Sequence, residues 1–176
     1  MAWFRSSEKK YKLVQGSFRS LGYPTIEEEC EKHDGFSVLR QPQGIESDLI
    51  TVLETVSKMI LIEFLDDIHY PECRIIKTEN AIWSGMASCH RISVPKKTAR
   101  GLKVRFRVPY IAIKSNLLTR DNFGTSLSTY LHEMAHIFGS DKSASFSNAL
   151  TEILEIVLQH SKIIEMFRLK WEKLFE

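Results

Sequence analysis

Between Ser47 and Ile68 the apolar residues Leu49, Val52, Leu53, Val56, Met59, Ile60 and Leu65 recur mostly at intervals of three and four. That period gathers them on one side of a helix, so the stretch predicts a long amphipathic helix packed along one face. His69-Tyr70-Pro71 ends it, because the residue before a proline avoids the helical region. Beyond it the pattern shortens. Arg74 to Ile76, Ala81 to Trp83 and Arg91 to Val94 read as brief strands set apart by Gly and Pro signals. Pro95 to Gly101 reads as a polar loop. Lys103 to Val108 then alternates strictly, with Lys103, Arg105 and Arg107 on one face and Val104, Phe106 and Val108 on the other. A half-buried strand has this signature, and Tyr110 to Ile113 extends it or pairs beside it.

The last third turns helical. Asp121 or Asn122 can cap a helix from about Phe123 to Phe138, and Gly139 stops it. A second helix starts near Ser143 to Ser145 and carries Phe146, Leu150, Ile153, Leu154, Val157 and Leu158. A basic and aromatic end, Phe167 to Phe175, follows without an interrupting Gly or Pro, and Met166 falls in its core pattern. The order of elements predicts an α+β fold. Residues 1–40, basic and aromatic before Pro24 and acidic from Glu27 to Asp34, read as an arm preceding or packed on a domain of residues 41–176.

Composition sets bounds on this picture. The chain has 176 residues, 43% hydrophobic and 26% charged, the balance of an ordinary globular protein. A chain of this length buries roughly 70% of the surface exposed on unfolding, so it needs neither a disulfide nor a structural metal to fold. Any metal site in it is first a candidate for chemistry. The first ten residues carry charges where a secretory core would lie, and Glu54, Lys58 and Glu63 interrupt the most apolar stretch. Cys30, Cys73 and Cys89 are odd in number and lack paired spacing, as free thiols of a reducing compartment do. These features predict a cytoplasmic protein that does not enter a membrane.

The formal net charge of +2 offers no global reason to expect a nucleic acid, yet the charge is unevenly spread. From Asn80 to Arg120 there is no Asp or Glu, while Arg91, Lys96, Lys97, Arg100, Lys103, Arg105, Arg107, Lys114 and Arg120 all fall there. A basic strand face of this kind solubilises a fold and protects a sheet edge. If it borders a catalytic cleft, it favours acidic peptide substrates; on a non-catalytic module it would serve protein or nucleic-acid binding.

The chemistry concentrates in Thr129-Tyr130-Leu131-His132-Glu133-Met134-Ala135-His136-Ile137-Phe138-Gly139. His132 and His136 are one helical turn apart, so both imidazoles project from one face at a separation that a single Zn²⁺ can bridge. Glu133 lies beside the first of them, where its carboxylate can take a proton from a zinc-bound water without ligating the metal, and then pass it to a leaving amine. Uncharged flanks at Leu131, Met134, Ala135 and Ile137 suit a helix buried behind such a site.

This segment resembles the active-site helix of the zincin metallopeptidases, which share the pattern HExxH. The resemblance implies a small zincin-like α+β domain with a mixed or antiparallel sheet, an edge strand that holds extended substrate, and a further helix folded back antiparallel. It also implies zinc-dependent hydrolysis of peptide bonds. A catalytic zinc site needs a third protein ligand. The metzincin pattern would place it at Lys142, which cannot serve while charged; Asp141 lies one residue earlier. The gluzincin pattern takes a Glu from the next helix, and here Glu152 comes 16 residues after His136. An antiparallel fold about a turn near Asp141 or Lys142 brings Ala149 to Glu152 opposite Met134, so Asp141 and Glu152 both stand as third-ligand candidates. The other of the two would then support an imidazole N–H. Tyr130, Tyr110 and His160 are candidate donors to a developing oxyanion.

Overall fold

The long amphipathic stretch forms helix α1, Ile45–Leu61, with Leu49, Val52, Leu53, Val56, Ile60 and Leu61 buried as one stripe. Met59, assigned to that stripe by periodicity, is instead 45% exposed, because it sits at the border of the apolar arc. Glu46 and Asp48 in the first turn complement the positive end of the helix dipole, and Glu46 also forms a two-point ion pair with Arg40 at 2.5 and 2.6 Å. A computed structural model describes residues 39–62, 70–76, 84–98 and 100–176. The expected strand at Ala81 to Trp83, the helix end at His69 and nearly all of the expected arm lie outside the described residues.

Residues 39–176 form one compact unit of α+β architecture, with four helices and a mixed sheet among the described residues. Strand β1 is Leu39–Arg40, β2 is Glu72–Ile76, β3 is Gly85–Ala87, β4 is His90–Lys97, β5 is Lys103–Arg107 and β6 is Tyr110–Lys114. Leu39 and Arg40, placed at the end of the arm by sequence, pair antiparallel with Ile76 and Ile75 and so belong to this unit. Two residues are too few to show a period.

The main sheet has the order β1-β2-β6-β3. β2 and β6 run parallel at its centre, while β3 pairs antiparallel with β6 and forms its edge. The central position explains the composition of β6: Ile111, Ala112 and Ile113 are all buried, as a strand covered on both faces requires. β4 and β5 make a separate antiparallel pair. The polar loop expected from Pro95 is shorter than its composition suggests, because β4 continues to Lys97 after a register shift between Arg91 and Lys96. On β5 the alternation holds: Lys103, Arg105 and Arg107 are exposed, Val104 is buried and Phe106 is half-buried.

Three helices complete the unit: α2, Phe123–Ala135; α3, Ala144–Gln159; and α4, Ser161–Lys173. Ser143 caps α3 by accepting the Phe146 N–H. The Asn122 side chain does not cap α2 but donates to the Asn116 carbonyl, and two short 3₁₀ turns lead into the helix instead. The C-terminal run is broken at His160, which no Gly or Pro announces. Met166, expected in the core, is 68% exposed. Trp171 takes the core position on α4: it is fully buried, meets Phe123 edge-to-face at 5.7 Å, and donates from Nε1 to the Thr119 carbonyl at 2.9 Å. Among the described residues no helix is long and apolar enough to cross a membrane.

Candidate metal centre

Helix α2 ends in a tightened turn. His136, Ile137 and Phe138 donate their N–H groups three residues back, to Glu133, Met134 and Ala135, in 3₁₀ fashion. His136 therefore caps the helix, yet it keeps the face that it shares with His132. The Ile137 carbonyl, next in line, accepts N–H groups from both Arg105 and Phe106, so β5 pins the end of α2 in place. Gly139 follows without a positive φ; its small size is required by the approach of Ser143, whose Oγ would lie 2.1 Å from an added Cβ. The tight turn from Ser140 to Ser143, closed by the Ser143 N–H on the Ser140 carbonyl, carries Asp141 back over the helix face.

The outcome is a three-residue cluster. Asp141 Oδ1 lies 3.3 Å from His132 Nε2 and 3.6 Å from His136 Nε2. Ligand-competent atoms of His132, His136 and Asp141 all fall within 4.8 Å of one another. His136 Nδ1 faces the Gly139 carbonyl at 3.1 Å, and a carbonyl only accepts, so that nitrogen carries the proton. In a neutral ring the lone pair is then on Nε2, the atom turned towards Asp141. Phe146 packs on both imidazoles, with ring centroids at 5.0 Å from His132 and 4.8 Å from His136. Its aromatic wall restricts the rotation of the two side chains.

Glu152 is placed elsewhere. Its carboxylate accepts from Arg100 Nη1 at 2.9 Å, and it neither joins the cluster nor meets an imidazole N–H. The register assumed from sequence is off by one turn: Phe146, not residue 150, faces the two histidines, which carries Glu152 past the site. The compact turn after Gly139 starts α3 closer to the histidines than an open hairpin would.

Glu133 is buried with 5% exposure, and its Oε2 lies 3.6 Å from His136 Nε2. Burial, and secondarily the Asp141 carboxylate, push its carboxyl group up to about 7. A carboxyl group shifted in this way is balanced between accepting and releasing a proton near neutrality. A cleft of about 970 Å³ opens over these groups, walled by α2, by Phe146 and Leu150 of α3, and by Ser84 to Ala87 at the sheet edge. Gly85 makes the closest approach: a Cβ there would lie 2.8 Å from both Glu133 Oε1 and Thr129 Cγ2.

The basic strand β5 does not wall this cleft; β3 does, and three residues gave it too little pattern to be read from sequence. Of the oxyanion donors considered, none lines the cleft. Tyr130 is fully buried with no hydrogen-bond partner for its hydroxyl among the described residues, Tyr110 lies under the Arg74 guanidinium at 4.1 Å, and His160 Nδ1 faces the Ile156 carbonyl. Cys73 is buried and Cys89 exposed.

No family model matches the chain, and no curated protein or solved structure matches it.

Proposed function

We propose that the cleft is the active site of a zinc-dependent peptidase of zincin type, with His132, His136 and Asp141 as the protein ligands and Glu133 as general base. The observation that carries the reading is the convergence of two imidazole nitrogens and one carboxylate oxygen within 4.8 Å, beside a buried glutamate that is not part of the trio. Two nitrogens and one oxygen are the donor set of a catalytic zinc with an open fourth position. A zinc ion held there supplies Lewis acidity and makes water acidic enough to ionise near neutral pH.

The remaining chemistry belongs to the chain. Glu133 takes the proton of the attacking water and returns it to the departing amine. The Gly139 carbonyl holds the His136 ring in one tautomer, and Phe146 blocks its rotation. The outer edge of β3 offers backbone groups to an extended peptide by strand addition, on the wall of the cleft nearest Glu133. Among the described residues the cleft's lining carries no Lys or Arg, so they give no charge-based preference for acidic peptides.

Metal analysis tests the ligand set. The wild-type chain should hold one zinc, and His132→Ala should lose it. Asp141→Ala should weaken zinc binding by more than about 10²-fold, beyond the loss typical of an outer-shell partner. Glu152→Ala should leave zinc affinity unchanged and cost at most about 1 kcal/mol of stability through its half-exposed pair with Arg100. Zinc loss in Glu152→Ala with retention in Asp141→Ala would reverse the assignment.

The close approach of the sheet edge gives a second test. Gly85→Ala forces Glu133 and Thr129 away from the strand, and displacement of a catalytic group by about 1 Å costs on the order of 10²-fold in rate. Cleavage of unfolded casein, followed by newly formed amino groups, should fall by about that factor while bound zinc is retained. Wild-type cleavage by Gly85→Ala would show that the strand does not set the position of the base.

A further inference from the structure

The β4–β5 sheet carries a positive field that the proposed peptidase site does not use. Among the described residues, Arg91, Lys97, Lys103, Arg105 and Arg107 pair with no carboxylate. The pairing even sets like charges face to face, with Lys97 directly opposite Lys103. Like charges in that position destabilise a sheet, so folding alone gives no reason to place them there. Edge protection accounts for a lysine or two on one strand, not for Lys97 of β4 together with Lys103, Arg105 and Arg107 of β5 on one face; Arg91, opposite Phe106, belongs to the other face. A second cavity, of about 350 Å³, opens between this sheet and the turn after α2; Arg91, Lys103, Arg105, Ser140 and Ser143 contribute to it, and among the described residues no carboxylate does.

We propose that the exposed face of the β4–β5 sheet binds the phosphate backbone of double-stranded DNA, independently of base sequence. Cations at alternate positions of a strand stand roughly 7 Å apart, so Lys103, Arg105 and Arg107 of β5 span about 14 Å. Several phosphates of one duplex can be neutralised over such a length, with Ser140 and Ser143 as neutral donors beside them. An acidic protein partner fits less well. Protein interfaces centre on apolar or aromatic anchors, whereas Val94 is the one large apolar side chain exposed on this sheet. Single strands are held by exposed aromatic platforms, and Phe106, the one Phe, Tyr or Trp of β4 and β5, is half-buried. The phosphates of B-form DNA border a major groove wide enough to seat a two-stranded β-ribbon between them, whereas the major groove of A-form RNA is too deep and narrow for one. The site is physically tied to the metal helix, since the Arg105 and Phe106 N–H groups hold the Ile137 carbonyl.

The test is fluorescence anisotropy of a labelled 20-base-pair duplex of arbitrary sequence with the full chain, between 50 and 200 mM salt. Binding should weaken steeply with salt, the logarithm of the association constant falling by about 0.9 per phosphate contacted for each decade of salt. The triple variant Lys103→Thr, Arg105→Thr, Arg107→Thr should reduce that slope by about three, and Arg105→Gln alone by about one. Zinc content should stay at the wild-type value in both variants and the unfolding midpoint should not fall, rising in the triple variant as the Lys97–Lys103 repulsion is relieved; this separates the site from the metal centre. The proposal is overturned if the wild type does not bind the duplex at 50 mM salt, or if Arg105→Gln leaves the slope unchanged. Equal or tighter binding of single-stranded DNA, double-stranded RNA or polyglutamate overturns it as well, the last in favour of an acidic polypeptide.

Discussion

If the cleft works as the proposed zinc peptidase site, Glu133→Gln should lower the rate of peptide hydrolysis by about 10²–10⁴-fold and leave the zinc content unchanged. The substitution keeps the size of the side chain, so it preserves the tight contact with Gly85 and the buried packing of α2. What it removes is the ability to accept a proton. The carboxyl group of Glu133 is pushed up to about 7 by burial and by Asp141, a value that suits proton transfer near neutral pH; an amide has no counterpart to it. Because Glu133 lies outside the cluster of His132, His136 and Asp141, the metal should be held as before. Kinetics on unfolded casein beside metal analysis of the same sample separate the two effects. Wild-type turnover by the zinc-loaded variant would remove Glu133 from the mechanism. Loss of zinc would make it a ligand rather than a base.

The largest effect on stability is expected far from the cleft. Trp171→Ala should cost about 3–5 kcal/mol, the range for truncating a large buried aromatic side chain. Trp171 is fully buried, and it links α4 to the start of α2 through its edge contact with Phe123 and its hydrogen bond to Thr119. Its loss leaves a cavity and removes one of two donors to the Thr119 carbonyl, which keeps the Asn122 N–H at 3.2 Å. Against a typical total of about 5–15 kcal/mol, that deficit is large enough to shift the urea midpoint strongly. Trp171→Phe keeps most of the volume and loses the indole donor, so it should cost about 1–3 kcal/mol. Equal midpoints for the alanine variant and the wild type would show that α4 is not anchored through this residue.

The sequence was most informative where a period ran long. Seventeen residues of α1 repeat their apolar stripe often enough to identify the helix, and strict alternation over Lys103 to Val108 identified β5. It was least informative where elements are short or where chain packing breaks a pattern. β3 has three residues, so the strand that walls the cleft had no readable alternation. The break between α3 and α4 at His160 interrupts a continuous helical pattern without Gly or Pro. Met166 shows that an apolar residue in a helical run can still face solvent, since the depth of the core decides how wide the buried arc is.

The opposing roles of Asp141 and Glu152 show the limit most sharply. By itself the sequence determined that His132 and His136 share a helix face and that Glu133 stands beside them, because helix geometry fixes which side chains are neighbours one turn apart. It could not determine which carboxylate reaches that face, because the answer depends on how tightly the chain turns between two helices. The tertiary structure decided it through the size of Gly139, the Ser143 cap and the turn closed on the Ser140 carbonyl, which bring Phe146 against the histidines and carry Asp141 above them. It likewise separated the basic strand from the cleft. β5 reaches the end of α2 through its backbone, at the Ile137 carbonyl, and turns its cations away to solvent. Alternation along a strand specifies two faces, and only the packing of the whole domain specifies what each face meets.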